Sequence, residues 1–252
     1  MENKTVLITG ATSGIGEATA KLLAKNDFNL ILCGRRAQKL EKLKAELSKS
    51  TKVTTLSFDV CNKTQVKEAF LKLAPIWKDI HILINNAGGA HGLDPIQTGK
   101  IEDWDAMIDS NLKGLLYVTH EVLPVMVKRK SGHIVNIGSI AGQEVYPNGN
   151  VYCASKFAVK ALSNGMRIDL NSFGVKVTQI SPGLVETEFS KVRFKGNEQK
   201  AKMPYKGITP LSGNDIAEII LYTVTRAHHV MIADIVVLPT AQASAGLVNR
   251  NP

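Results

Sequence analysis

Cysteine, acidic residues and long apolar runs are all in short supply in this chain. Of 252 residues only three are cysteine: Cys33, Cys61 and Cys153. An odd count without metal-like spacing argues against a disulfide framework and reads as reduced thiols in a reducing compartment. Cys153 adjoins Tyr152, yet no histidine stands at a spacing that would make it a nucleophile, and burial is a cysteine's ordinary fate. No apolar run approaches the length needed to cross a bilayer, so no membrane association is expected. The opening "MENKTVLITG" lacks the charged, apolar and small-residue sections of a signal peptide, and the expectation is a cytoplasmic protein. Six histidines include the neighbours His228 and His229, but adjacent side chains diverge and no HExxH spacing occurs, so no metal is expected.

The shortage of acids leaves 22 Asp and Glu against 31 Lys and Arg, a formal charge of +9. The basic residues are scattered through helical stretches such as "RRAQKLEKLKAELSKS", with acids among them. That dispersal excludes a nucleic-acid footprint and fits solvated helix faces serving a small polyanionic ligand.

What the chain does have is 44% hydrophobic residues, enough for one sizeable core over residues 1–252. Short β-branched runs fall at 5–9, 28–33, 53–58, 80–85, 133–138, 175–180 and 234–238. Helical patterns lie between them near 15–26, 36–49, 62–75, 103–130, 151–172 and 213–226. Strands that read as continuous apolar runs are buried on both faces. The alternation therefore predicts an α/β fold: a single-domain, Rossmann-like, doubly wound parallel sheet of about seven strands with helices on both faces. Linkers, repeats and low-complexity segments are missing. The least regular stretch, 184–212, reads as a lid or substrate segment.

"VLITGATSGIGEA" carries a strand through Gly10, Thr12, Ser13, Gly14, Ile15 and Gly16 into a helix. Such a turn lets backbone amides and the helix N-terminus approach a pyrophosphate. The second strand ends in "CGRR", where an enzyme using NAD would place a carboxylate for the ribose 2′-hydroxyl. Arg35 and Arg36 stand there instead, and guanidinium groups suit a 2′-phosphate. The expected cofactor is NADP(H).

"YCASK" sets Tyr152 and Lys156 on one helical face. A nearby ammonium favours the phenolate, as a general acid/base near neutral pH requires. Ser139, in "VNIGS", ends a parallel strand on the side where such sheets bind ligands, and it could hold a substrate oxygen. It does not sit in a nucleophile elbow. "NNAG" brings Asn86, Ala87 and Gly88 to another strand end, and "SNLKG" puts Asn111 inside a helix, where an amide is unfavourable unless used.

TGxxxGxG, NNAG, Asn, Ser and YxxxK, in this order, resemble the short-chain dehydrogenase/reductase family over essentially the whole chain. The resemblance implies that Tyr152 exchanges a proton with the substrate oxygen. It gives Lys156 the nicotinamide ribose, Ser139 the substrate, and Asn111 a relay water. It further implies adenine contacts from Asp59 and Val60, nicotinamide contacts from Pro182, Gly183, Val185 and Thr187, and a homotetramer built on the long helices and last strand. "VETEFSKVRFKGNEQKAK", "PNGNVY" and "LPTAQASAG" are similar to a subgroup of NADP-dependent 3-hydroxy acid dehydrogenases, which includes serine dehydrogenases and malonic semialdehyde reductases. Serine, allo-threonine and 3-hydroxypropionate-like acids are the implied substrates. An anionic substrate needs a cation, and Lys191, Arg193 and Lys195 are at hand; Arg193 has the bidentate geometry for a carboxylate. A broader carbonyl or 3-oxoacyl reductase and a non-catalytic NADP-sensing protein stay open at this point.

Overall fold

In the computed structural model, residues 4–250 are described. The short apolar runs form seven strands: β1 (Thr5–Thr9), β2 (Asn29–Gly34), β3 (Val53–Ser57), β4 (Ile82–Asn85), β5 (Gly132–Ile137), β6 (Val175–Pro182) and β7 (Asp234–Val237). They make one all-parallel sheet in the order β3-β2-β1-β4-β5-β6-β7.

The connections are helical. They comprise α1 (Gly14–Ala24), α2 (Ala37–Leu47), α3 (Lys63–Lys72), α4 (Ile101–Ile108), α5 (Gly114–Arg129), α6 (Asn150–Asp169), α7 (Phe189–Arg193), α8 (Glu198–Lys202) and α9 (Gly213–Val224). Alternation along β1 assigns its side chains to opposite faces. Val6 and Ile8 pack with Leu23 of α1, Leu40 of α2 and Ile220 of α9. Leu7 packs on the other face with Val66 of α3 and with Val118, Val122 and Met126 of α5. Each fully buried side chain of this size contributes about 1.5–3 kcal/mol, which explains why the runs are apolar on both faces.

Two expectations from the sequence are refined. The stretch read as one helix over 103–130 is α4 and α5 joined by a π-helical turn, Asp109–Lys113, in which Gly114 N–H donates to the Asp109 carbonyl. Such turns insert one residue into the ladder and turn a side chain out of the helical row. The stretch 184–212 contains the short helices α7 and α8 and a 3₁₀ turn, Met203–Tyr205. Among the described residues no helix is long and apolar enough to cross a membrane.

Strand order reverses between β1 and β4. The crevice at their carboxyl ends is where such a sheet accepts a ligand, and the loops after β1, β4, β5 and β6 meet there.

Candidate active site

The turn after β1 is held from two sides. Gly10 and Gly14 adopt φ of +66° and +53°, and a Cβ on Gly16 would stand 2.3 Å from the Gly10 carbonyl oxygen. Only glycine permits this approach of helix to loop. Across the crevice, Thr9 Oγ1 accepts from the amides of Asn86 and Ala87 at 3.0 and 2.9 Å, and Asn86 Nδ2 donates to the Thr9 carbonyl at 2.9 Å. Asn86 thus joins the two loops, and Gly16 serves their packing.

On α6, Tyr152 and Lys156 are both buried at the crevice floor. Tyr152 lies in an apolar box with Ala90, Met107, Ala141 and Cys153, and the Phe189 ring meets its ring edge-on with centroids 5.7 Å apart. Lys156 Nζ lies 6.0 Å from the Tyr152 ring centroid and donates to the Ile137 carbonyl at 2.9 Å. Burial pushes the Lys156 ammonium down to about 8. Ser139 caps the 3₁₀ turn Ile140–Gly142, its Oγ accepting from Ala141 N at 3.1 Å. A Cβ on Gly142 would lie 2.6 Å from the Lys156 carbonyl oxygen, so this turn is pressed onto α6.

The Tyr152 titration departs from the sequence-based expectation. Burial raises the phenol well above its ordinary value, with the neighbouring Tyr146 adding to the rise. The Ser139 hydroxyl and the Arg193 guanidinium act in the opposite direction.

Asn111 sits in the π turn. Its Nδ2 donates to the Gly89 carbonyl and to Ser155 Oγ, both at 2.9 Å, while its Oδ1 accepts from Gly89 N at 2.8 Å. Ser155 Oγ in turn donates to the Tyr152 carbonyl at 2.7 Å. Both amide hydrogens are therefore committed to clamping the loop after β4 onto α6.

Segment 184–212 covers this floor. Arg193 Nε donates to the Gly92 carbonyl and Nη1 to the Tyr146 hydroxyl, each at 2.9 Å. Its Cζ stands 5.6 Å from the Tyr146 ring centroid and 5.7 Å from that of Tyr152. Arg193 Nη2 has no hydrogen-bond partner among the described residues. Lys195 pairs with the buried Asp103 at 2.9 Å, and Lys191 pairs with Glu198 at 3.4 Å. Of the three cations expected near a substrate, only Arg193 is brought beside Tyr152.

At the end of β2 the two arginines differ. Arg35 has a side chain 74% exposed and meets Asp59 at 3.5 Å. Arg36 is anchored: Nε donates to Thr12 Oγ1 at 3.0 Å, and Nη2 donates to Thr12 Oγ1 and Ser13 Oγ, both at 2.8 Å. Its Nη1 meets Glu188 Oε2 at 2.8 Å, and Lys39 approaches the other oxygen of that carboxylate at 3.2 Å.

A strand–glycine turn–helix, a Ser–Tyr–Lys floor and an amide-clamped loop are thus assembled at one switch point. The short chain dehydrogenase family pattern matches residues 4–198. The chain belongs to the short-chain dehydrogenase family. Among relatives of this dehydrogenase, NADP-dependent 3-hydroxy acid dehydrogenase YdfG of Salmonella typhi is 46% identical over 243 residues, spanning 96% of this chain and 97% of its own. Sulfoacetaldehyde reductase 2 of Chromohalobacter salexigens is 44% identical over 248 residues, spanning 98% of each. A solved closed form of serine dehydrogenase complexed with NADP+ superposes with a TM-score of 0.92 at 42% identity, covering 98% of this chain and 100% of that one.

Other expected residues lie around the same crevice of the dehydrogenase. The Pro182 carbonyl accepts from Ser139 Oγ at 3.5 Å, and Gly183 N donates to Val237 O at 2.8 Å. Val185 bridges to Leu211, and Thr187 stands against Gly14, 3.0 Å from where its Cβ would be. Asp59 accepts from Cys61 N at 3.0 Å, and Val60 packs on Gly114. Ile15 packs against the core under the turn. Tyr146, Ser155 and Glu188 are the functional neighbours that sequence reasoning missed. Ser155 lies inside the "YCASK" string and Glu188 inside the stretch that begins "VETEF", but neither is singled out there, and the contacts with Asn111, Arg193 and Arg36 are ones that only folding creates.

Proposed function

We propose that the protein is an NADP(H)-dependent oxidoreductase interconverting small 3-hydroxy acids, such as serine, allo-threonine and 3-hydroxypropionate, with their 3-oxo acids. The observation that carries this reading is Arg193, fixed by Gly92 and Tyr146 with Nη2 unengaged, beside the Tyr152 ring. A substrate that meets both residues carries an anionic group close to its reacting oxygen.

The cofactor fits the residues present. The positive-φ glycines open a backbone cradle at the α1 N-terminus for a pyrophosphate, and Arg35, Arg36 and Lys39 gather where a 2′-phosphate belongs. NADP(H) supplies or accepts the hydride at the substrate carbon. In reduction the Tyr152 hydroxyl gives its proton to the carbonyl oxygen; in oxidation the phenolate takes it back. Ser139 holds that oxygen by a hydrogen bond. The Lys156 ammonium stabilises the phenolate formed as the proton leaves, when the pair is transiently opposite in charge. Asn111 and Ser155 keep the loop after β4 and the first turn of α6 in register. Segment 184–212 is the lid, carrying Arg193 and Phe189 onto the substrate and excluding water.

The presence of a sulfoacetaldehyde reductase among the relatives fits the same geometry, since a sulfonate and a carboxylate present similar oxygens to a guanidinium. The assembly we propose is a cytoplasmic homotetramer, supported by the outward apolar residues Leu116 on α5 and Phe157 and Ile168 on α6.

NADPH absorbance followed against malonic semialdehyde, sulfoacetaldehyde, a neutral short aldehyde and a bulky ketone tests the reading. The two anionic aldehydes are expected to be the best substrates. Arg193→Ala should raise their KM roughly 30- to 100-fold, the worth of one lost charge-assisted pair, while sparing the neutral aldehyde. Preference for the bulky ketone would point to a broad carbonyl reductase. Tight NADPH binding without turnover would point to a sensing protein.

A further inference from the structure

Glu188 is given no role by the sequence, yet its carboxylate lies between two cations from the opposite side of the crevice. Arg36 Nη1 and Lys39 Nζ approach its two oxygens at 2.8 and 3.2 Å. Arg36 does not depend on this contact for its position, because Thr12 and Ser13 hold its remaining donors. A cleft of about 630 Å³ opens beside the pair, lined by Arg36, Thr187, Glu188, Lys191 and Lys195. A carboxylate on an anchored guanidinium, at the end of β2, presents the same chemistry as a phosphate monoester placed there.

We propose that Glu188 is a specificity-determining residue whose carboxylate competes with the cofactor's 2′-phosphate for Arg36 and Lys39, and so sets how strongly NADP is preferred over NAD. The inference rests on the NADP reading above. Arg36 and Lys39 keep Glu188 ionised by lowering its carboxyl below the usual range. The three side chains are between 41% and 50% exposed, so the ion pair is weak and exchangeable. A phosphate monoester carries close to two negative charges at neutral pH and three acceptor oxygens, and it wins the guanidinium from a single carboxylate. NAD brings only a 2′-hydroxyl, which leaves the Glu188 pair unbroken.

Because Glu188 immediately precedes Phe189, whose ring packs on Tyr152, the exchange occurs one residue from a wall of the catalytic floor.

The test uses adenosine 2′,5′-bisphosphate and 5′-AMP as probes, with Kd measured by calorimetry on the full chain and no turnover involved. Glu188→Gln and Glu188→Ala should each bind the bisphosphate roughly three- to five-fold more tightly at low salt. The gain should shrink in 0.5 M salt, where exposed charges are screened. Affinity for 5′-AMP should change by less than about two-fold, the nucleotide having no 2′-charge to compete. Unchanged or weakened bisphosphate binding in both variants, with the wild type still preferring it over 5′-AMP, would overturn the competition alone. Equal wild-type affinity for the two probes would overturn the NADP reading and this inference with it.

Discussion

Lys156 illustrates how one side chain trades stability for chemistry. Its ammonium is buried against the Ile137 carbonyl, and burial brings its pKa to about 8 from the ordinary 10.5. Below pH 8 it is protonated both folded and unfolded, so the folded state carries a desolvated charge at a cost of roughly 3 kcal/mol. Between 8 and 10.5 the unfolded chain binds more protons, and this contribution to stability rises with pH. Lys156→Met should therefore raise the thermal midpoint at pH 7, by an amount that shrinks toward pH 10.5, while turnover is lost. A midpoint that falls at pH 7 would contradict the sign. The same titration bears on the wild type: carbonyl reduction needs the ammonium, so its rate should decline above about pH 8. That limb should move to higher pH in any Lys156→Arg variant that retains activity, because guanidinium does not titrate there.

Among the elements, the π turn between α4 and α5 carries the most consequence. An uninterrupted helix over 103–130 would give Asn111 no reason to exist, since an interior Asn is a poor helix former. The turn presents the amide to Gly89 and Ser155, and three hydrogen bonds then tie the loop after β4 to α6. Asn111→Ala removes a donor to the buried Ser155 hydroxyl and leaves the half-buried Gly89 amide and carbonyl without this partner, and should cost about 2–3 kcal/mol. Urea unfolding would register this as a lower midpoint at unchanged slope. A loss under about 0.5 kcal/mol would mean that the loop holds itself.

At the scale of the whole molecule, the sheet brings four loops from distant parts of the sequence to one crevice. The outer faces of α5 and α6 leave Leu116, Phe157 and Ile168 in solvent. Light scattering on the purified protein should return about four times the chain mass, and Phe157→Asp should reduce it. A wild-type monomer would refute the proposed assembly.

Periodicity and composition determined much of this protein without coordinates. The seven strands and their parallel direction follow from short β-branched runs alternating with amphipathic stretches, because burial on both faces leaves that local signature; their order came only with the structure. Gly10, Gly14 and Gly16 announce a tight turn, and Tyr152 and Lys156 share a face through spacing along one helix. Other properties arise between residues far apart in sequence. Glu188 meets Arg36 across 152 positions, Tyr146 fixes Arg193 across 47, and Asn111 clamps Gly89 across 22. Tyr152 was expected to be lowered by Lys156 and is instead raised by burial. Local pattern reports which way a side chain faces along its own element. Desolvation and the pairing of charges depend on what other segments bring to the same point, and only the tertiary structure decides that.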